Sequence, residues 1–125
     1  RRLYDITLQI MRWAANSGMQ TGMLNLYIQH TSASVLINEN YDPDVLVDME
    51  SFFARLVPDG DPLFIHTAEG VDDMPAHIRS ALTQTSISIP VLNGKLALGT
   101  WQGIFLYEHR LASHTRQVLL HLIGE

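Results

Sequence analysis

The chain has no cysteine among its 125 residues, and it has few basic side chains. Without cysteine, disulfides, thiolate nucleophiles and zinc–thiolate sites are excluded, and a reducing cytoplasm suits such a chain. Eight Lys and Arg residues stand against 13 Asp and Glu, which gives a net charge of −5 with histidine neutral. Phosphate backbones are bound by clustered basic residues, so scattered ones argue against nucleic-acid binding. Two or three of them still suffice for a small anionic ligand.

Long apolar runs are missing as well. No segment approaches the roughly 18–20 apolar residues that a membrane span requires. The opening Arg1-Arg2 is followed by a mixed segment rather than by the apolar region of a signal peptide. We therefore expect a cytoplasmic protein that does not associate with membranes. The first residue is not Met, which suggests that an N-terminal piece, such as a strand, is missing.

The composition and the apolar spacing predict one α+β domain over residues 1–125. A hydrophobic share of 46% is typical of a globular protein of this length. Helical spacing indicates helices over 6–16, from Asp42-Pro43 and from about Pro75. The core stripe of the second helix is predicted to be Val45, Met49, Phe52, Phe53 and Leu56.

Alternating residues predict strands over 24–29, 87–91, 96–99 and 104–108, with residues 35–37 as a short strand or an extended loop. Asn93-Gly94 is typical of a two-residue hairpin turn. The segment 117–123 is apolar on both faces, so we expect it in the centre of a sheet. Two to three helices on a mainly antiparallel or mixed sheet follow from this order.

The segment from Gln29 to Asp44 is the first sign of a functional site. A cap for the following helix is already supplied by Asp42 with Pro43, yet many more polar side chains crowd this connection. They include His30, Thr31, Ser32, Ser34, Asn38, Glu39 and Asn40. Polar groups beside apolar segments must be hydrogen-bonded or serve a function. This segment is therefore predicted to form one wall of the site.

Three histidines are candidate metal ligands. His66, His77 and His109 each lie at the boundary of a predicted element, where loops converge. A single histidine at such a place is more often a surface or capping residue. Together, with Glu69, Asp72, Asp73 and Glu108 as acidic neighbours, they suggest a zinc site, although no His-Glu-x-x-His signature is present.

Two further motifs carry polar groups that could bind a cation or a substrate. Asp72-Asp73 offers hard oxygens to Mg²⁺, although capping of the helix near Pro75 explains one of the pair equally well. Thr100-Trp101-Gln102 lies between Gly99 and Gly103, where bulges would re-aim side chains toward a site. For Trp101 alone, a place in the core is the simpler interpretation.

Four motifs in order resemble the YjbQ family, whose members are also described as secondary thiamine-phosphate synthases. They are His30-Thr-Ser-Ala-Ser-Val-Leu-Ile-Asn-Glu-Asn40 with Asp42-Pro43, Leu56-Val57-Pro58, Glu69-Gly70-x-Asp72-Asp73-Met74-Pro75-Ala76-His77-Ile78, and Gly94-x-Leu96-Ala97-Leu98-Gly99-Thr100-Trp101-Gln102-Gly103-Ile104 with Glu108-His109-Arg110. The resemblance covers residues 22–125, and the opening strand of the family has no counterpart recognisable here. It implies a homotrimer with a metal-associated pocket. It also implies a reaction that joins a pyrimidine diphosphate to a thiazole phosphate and releases pyrophosphate.

On this basis we expect a metal-dependent enzyme that acts on a small phosphorylated or otherwise anionic substrate. The expected metal ligands for zinc, or alternatively magnesium, are His66, His77 and His109. The expected catalytic residues are His30 and Glu39 as acid and base, with Ser32 and Asn38 orienting the substrate. The expected substrate contacts are Thr31, Asp72, Asp73, Thr100, Trp101, Gln102 and Arg110, the last meeting negative charge. A trimer that binds a metal or metabolite without turnover is the alternative, and the sequence does not separate the two.

Overall fold

The computed structural model describes residues 1–125 as three helices and two antiparallel sheets, which confirms the predicted α+β fold. The elements in chain order are β1 Arg2–Asp5, α1 Thr7–Asn16, β2 Thr21–Ile28, β3 Ala33–Glu39, α2 Pro43–Leu56, α3 Asp73–Leu82, β4 Ser86–Leu92, β5 Lys95–Leu96, β6 Gln102–Glu108 and β7 Val118–Gly124. No helix is long and apolar enough to cross a membrane.

The two sheets enclose the main core between them. One sheet has the order β1-β6-β3 and the other the order β5-β4-β2-β7. Buried side chains from β2, β3, β4, β5, β6 and α1 form one apolar cluster, for example Leu26, Val35, Ile89 and Ile10. The register pairs Ala33 with Glu108 and Glu39 with Gln102, so β3 and β6 run side by side along their whole length.

Local signals define several element ends as predicted. The side chain of Asp42 accepts a hydrogen bond from the Asp44 N–H at 2.9 Å, with Pro43 at the first helical position. Asn93 and Gly94 both have positive φ, +53° and +76°, as the type I′ turn between β4 and β5 requires. The uncertain segment 35–37 belongs to a full strand, β3.

The last strand corrects one prediction. Strand β7 is not central but lies at the edge of the four-stranded sheet, paired only with β2. Its inward residues meet the core, whereas Leu119 and Ile123 stay 51% and 61% exposed on the outer face. No helix of this chain covers that face. The apolar residues on both faces of this segment therefore belong to one face that is buried in the core and one apolar face that no helix of this chain covers.

Three smaller predictions are also corrected. The chain in addition opens on a strand that was not predicted, β1, which pairs with β6. Helix α3 begins at Asp73, two residues before Pro75, and the returning strand ends at Leu96 rather than at Gly99. In α2, Phe53 and Met49 pack on a small second core, but Phe52 and Leu56 point to solvent.

Candidate functional site

Helix α3 and the loop before it bring together two histidines and a carboxylate. Asp73 and His77 are four residues apart in the helix, so their side chains share one face. Oδ2 of Asp73 lies 3.2 Å from Nε2 of His77 and 2.7 Å from Nε2 of His66, which the loop supplies. One ligand atom from each of the three residues lies within 4.8 Å of the others. Asp73 is buried, whereas the His66 side chain is 44% exposed.

Both ring nitrogens of His77 face oxygen atoms. Nδ1 lies 3.0 Å from the carbonyl oxygen of Thr31, and Nε2 lies 3.2 Å from Oδ2 of Asp73. A carbonyl oxygen only accepts, so Nδ1 donates to Thr31. A neutral imidazole then has a lone pair on Nε2, directed at the Asp73 carboxylate. Two lone pairs repel, so the arrangement favours either a protonated His77 or a cation between the two atoms.

Arg110 is bound to the acidic residues that open α3. Its Nε donates to Oδ2 of Asp72 at 3.0 Å, its Nη1 to Oδ1 of Asp73 at 2.8 Å, and its Nη2 to the Glu69 carbonyl at 2.9 Å. The side chain predicted to meet the charge of a substrate thus directs all three nitrogens at protein oxygens. The Asp72-Asp73 pair predicted to face substrate or Mg²⁺ is neutralised in the same way.

The pKa values of both carboxyls follow from these contacts. Burial raises the pKa of Asp72, but the Leu111 N–H and the Arg110 guanidinium outweigh it and hold that pKa below its usual value. Burial also raises the pKa of Asp73, and the hydrogen bond from His66 with the charges of His77 and Arg110 lowers it further than burial raises it. Both residues are therefore ionised at neutral pH.

A cleft of about 560 Å³ opens next to His77. It runs between the end of β2 and the outer side of α3. Its lining residues are Tyr27, Ile28, Gln29, His30, Thr31, His77, Ser80, Ala81 and Thr85. The predicted residues His30 and Thr31 thus share one cleft with His77, and the cleft offers hydroxyl, amide and imidazole groups for a ligand.

His109 does not join this group. Its side chain is fully buried, with Nε2 2.9 Å from Oγ of Ser34 and the ring 4.3 Å from that of Tyr107. Burial, with the charge of nearby Arg79, lowers the pKa of His109 to about 3. The cluster that the structure forms contains Asp73 in place of the predicted His109, because His109 points inward from the end of β6.

His30, which lines the cleft, and Ser32 also lie next to a buried ion pair. Arg116 donates to both carboxylate oxygens of Glu108 and, at 2.9 Å, to Oγ of Ser32. The backbone N–H of Gln117 donates to Nε2 of His30 at 2.8 Å. Burial, and then the charge of Arg116, lowers the pKa of His30, so this imidazole is neutral at pH 7. The unprotonated nitrogen of the neutral ring, Nε2, is therefore occupied by the backbone N–H of Gln117.

The remaining predicted residues lie at the other end of the strands. Asn38 and Glu39 end β3, and Thr100, Trp101 and Gln102 lead into β6 beside them. Trp101 is exposed rather than in the core, and its ring packs at an angle of 59° against that of Tyr41, with centroids 4.9 Å apart. The length of β3, about 20 Å, separates these residues from Ser32. His30 and Glu39 therefore cannot act as an acid–base pair within one chain, which corrects that prediction.

Sequence reasoning missed two groups of residues. Arg116 follows a polar turn and carries no sequence signal of its own. Arg79 is fully buried and forms an ion pair with Glu50 at 3.0 Å. Glu50 also accepts a hydrogen bond from the Tyr107 hydroxyl. The convergence of Asp73 with His77 did have a signal, since a carboxylate four residues before a histidine at a helix start puts both on one face.

Together, the fold and this geometry define a small α+β domain with two imidazoles and one carboxylate converging beside a cleft, a donor set typical of protein metal sites. The family model described as UPF0047 protein YjbQ-like matches residues 1–125. The chain belongs to this family, which confirms the resemblance.

Two protein relatives and two solved structures are similar to the whole chain. A UPF0047 protein of Synechocystis is 52% identical over 125 residues, covering 100% of this chain and 85% of the relative. UPF0047 protein YjbQ of Escherichia coli is 51% identical, covering 100% of this chain and 91% of its own. A hypothetical protein of Aeropyrum pernix superposes with a TM-score of 0.90 at 33% identity, covering 99% of this chain and 90% of that one. An uncharacterised YjbQ/UPF0047 protein of Clostridium acetobutylicum gives 0.86 at 34% identity, covering 98% and 91%.

Proposed function

We propose that the protein is a metal-dependent enzyme for a small anionic substrate, with the ion held by His66, Asp73 and His77. The observation that carries the proposal is the pair of acceptors around His77. Its Nδ1 is committed to the Thr31 carbonyl, which in the neutral ring leaves a lone pair on Nε2, 3.2 Å from Oδ2 of Asp73. A divalent cation satisfies both atoms at once, and the hydrogen bond from Nδ1 to the Thr31 carbonyl then fixes the orientation of the ring toward the ion.

The donor set favours zinc over magnesium. Two imidazoles and one carboxylate are the ligands of many catalytic zinc sites, which leave a position open for water or substrate. The same set with more open positions suits Fe²⁺, whereas Mg²⁺ prefers oxygen ligands only. The separations of 2.7 and 3.2 Å between these atoms are hydrogen-bond distances, so the 2.7 Å pair of His66 and Asp73 would have to open slightly to admit an ion. His66 lies on a loop and has room to adjust.

The reaction proposed for first testing is the one that the family resemblance implies, formation of thiamine phosphate with release of pyrophosphate. Zinc would supply Lewis-acid stabilisation of the charge that develops on the oxygen of the departing pyrophosphate. His30, Thr31 and Ser80 line the adjacent cleft and would orient the substrate there. Asn38, Glu39 and Gln102 lie too far away within one chain to touch the same molecule.

We also propose the homotrimer. The outer face of the four-stranded sheet supports it, because five large apolar side chains are exposed there: Met23, Tyr27, Leu92, Leu119 and Ile123. Tyr27 also borders the cleft at His77, so a copy packed on this face would close the cleft from one side. Light scattering at micromolar concentration should give a mass near three times 14.1 kDa. A monomer mass would refute the trimer.

Metal content tests the site. The purified protein, wild type and His77→Ala, is equilibrated with Zn²⁺, desalted and analysed for elements. We expect about one zinc ion per chain in the wild type and a loss in the variant. The exposed His114→Ala is the matched control and should keep the ion. Full occupancy in His77→Ala, or no ion in the wild type, would contradict the proposed site.

Activity is tested separately on the zinc-loaded wild type. Pyrophosphate release from the pyrimidine diphosphate is measured with and without the thiazole phosphate. Release that depends on both substrates and disappears in His77→Ala is the expected result. Saturable binding of a substrate without product over many hours would instead support the alternative, a metal- and metabolite-binding protein without turnover. Localisation in the cytoplasm and the lack of nucleic-acid binding remain predictions.

A further inference from the structure

Arg110 connects three segments around the His66, Asp73 and His77 cluster. Its guanidinium reaches the Glu69 carbonyl on the loop that carries His66, and it reaches both acidic residues at the start of α3. Arg110 itself follows the end of β6. The side chain is only 13% exposed, so these bonds form largely out of water. A planar guanidinium with several donors suits this arrangement, and an ammonium group does not.

The two oxygens of Asp73 have different partners. Oδ1 accepts from Nη1 of Arg110 at 2.8 Å, whereas Oδ2 faces the two histidines. Because Oδ1 is occupied, Asp73 has a single oxygen to offer a cation. The orientation of the carboxylate is set by Arg110 rather than by the cation.

Asp72 reinforces the same geometry. Its Oδ2 accepts from Nε of Arg110 at 3.0 Å and from the backbone N–H of Leu111 at 2.9 Å. The Arg110 side chain and the backbone N–H of the next residue thus both donate to the same oxygen of Asp72. This second contact fixes the plane of the guanidinium, so Nη1 stays directed at Asp73.

We infer that Arg110 is a positioning residue for the metal site, which holds Asp73 in the one-oxygen orientation that the ion needs. The inference rests on the proposed function, because it presumes an ion at His66, Asp73 and His77. It differs from a role in binding substrate charge, for which the guanidinium would have to be free. Groups that orient metal ligands are commonly worth 10- to 100-fold in metal affinity, so we expect a loss of about that size on replacement.

The test compares zinc affinity in the apo full chain of four proteins: wild type, Arg110→Lys, Arg110→Gln, and Arg55→Lys as an exposed control. Affinity is measured by competition with a chromophoric chelator, and circular dichroism checks that each variant is folded. Co²⁺ in place of Zn²⁺ gives a visible spectrum that reports ligand geometry. Arg110→Lys should bind zinc about 10- to 100-fold more weakly. Its Co²⁺ spectrum should also change, because Oδ1 is released from its planar partner.

The outcomes separate the two proposals. A wild type that binds Zn²⁺ and Co²⁺ tightly, with both Arg110 variants within twofold and with unchanged Co²⁺ spectra, overturns the positioning role only. A wild type that binds neither ion overturns the proposed function together with this inference. Weaker binding and an altered spectrum in both Arg110 variants, with Arg55→Lys like the wild type, supports it. If Arg110→Lys is unfolded, Arg110→Gln decides, since its amide ends near the position of Nε, where it can still donate to Asp72 but is too short to reach Oδ1 of Asp73.

Discussion

Acidification should destabilise the protein through His109 in a predictable amount. The folded-state pKa of His109 is about 3, and its ordinary value, which the unfolded chain has, is 6.5. Between these values the unfolded state binds a proton that the folded state does not. The contribution of His109 is therefore fully present above pH 6.5 and is lost as the pH falls toward 3. From pH 7 to pH 5 the expected loss is about 2 kcal/mol of unfolding free energy.

The physical cause is the closed environment of the ring. His109 has no exposed surface, its Nδ1 has no hydrogen-bond partner, and Arg79 places a positive charge nearby. Protonation inside this pocket would add a second buried cation, and the nearby anion, Glu108, is already paired with Arg116. Unfolding, or a large local opening, is the cheaper way to take up the proton.

Urea denaturation at pH 7, 6 and 5 measures the effect, with His109→Asn as the control that cannot titrate. Other carboxyl and imidazole groups affect both proteins alike, so the difference between their pH profiles isolates His109. The wild type should lose about 2 kcal/mol more than the variant between pH 7 and pH 5. Parallel profiles would refute the reasoning. They would mean that the imidazole is protonated in the fold or accessible to water.

Three further changes test the packing, each by urea denaturation at pH 7. Glu50→Ala should lower the free energy of unfolding by about 3–5 kcal/mol, because it leaves Arg79 buried without its partner. The double variant with Arg79→Met should recover most of this loss, and no recovery would mean that the unpaired charge is not its cause. Gly22→Ala should lower the free energy of unfolding by about 1–3 kcal/mol, since a Cβ there would lie 2.2 Å from the Ile123 carbonyl oxygen. An unchanged stability would contradict the close pairing of β7 with β2. Asp42→Ala should cost about 1 kcal/mol through the lost cap, whereas the exposed Asp48→Ala should change little; equal effects would exclude capping as the cause.

Elements with strong local signals could be predicted from the sequence. Helix α2 was predictable because Asp42 and Pro43 act within one turn, and the β4–β5 hairpin because Asn93-Gly94 needs only its own backbone conformation. The place of β7 was not predictable. The sequence pattern of an apolar outer face is the same whether another layer of this chain or another molecule covers it. Helix α2 showed the related error, because Phe52 is apolar but lies on the exposed side of the helix.

The site was predictable only in part, for a similar reason. His66 and His77 could be found as polar residues at element boundaries, and Asp73 by its helical spacing from His77. His109 could not be assigned, because neighbouring residues in an extended segment point in opposite directions and the sequence does not say which side is buried. The separation of Asn38 and Glu39 from His30 depends on β3 being one continuous strand. A short strand with loops would have allowed a single site.

The division of the three proposed ligands between a helix and a loop would set the order in which they bind an ion. Asp73 and His77 are held at fixed spacing by α3, and Pro75 between them restricts the backbone even before the helix is complete. An arriving ion would bind to these two first, and His66 would follow when it gives up its hydrogen bond to Asp73. Stopped-flow mixing with Co²⁺ should then show a fast phase that rises with ion concentration, followed by a slower phase that does not. In His66→Ala only the first phase should remain.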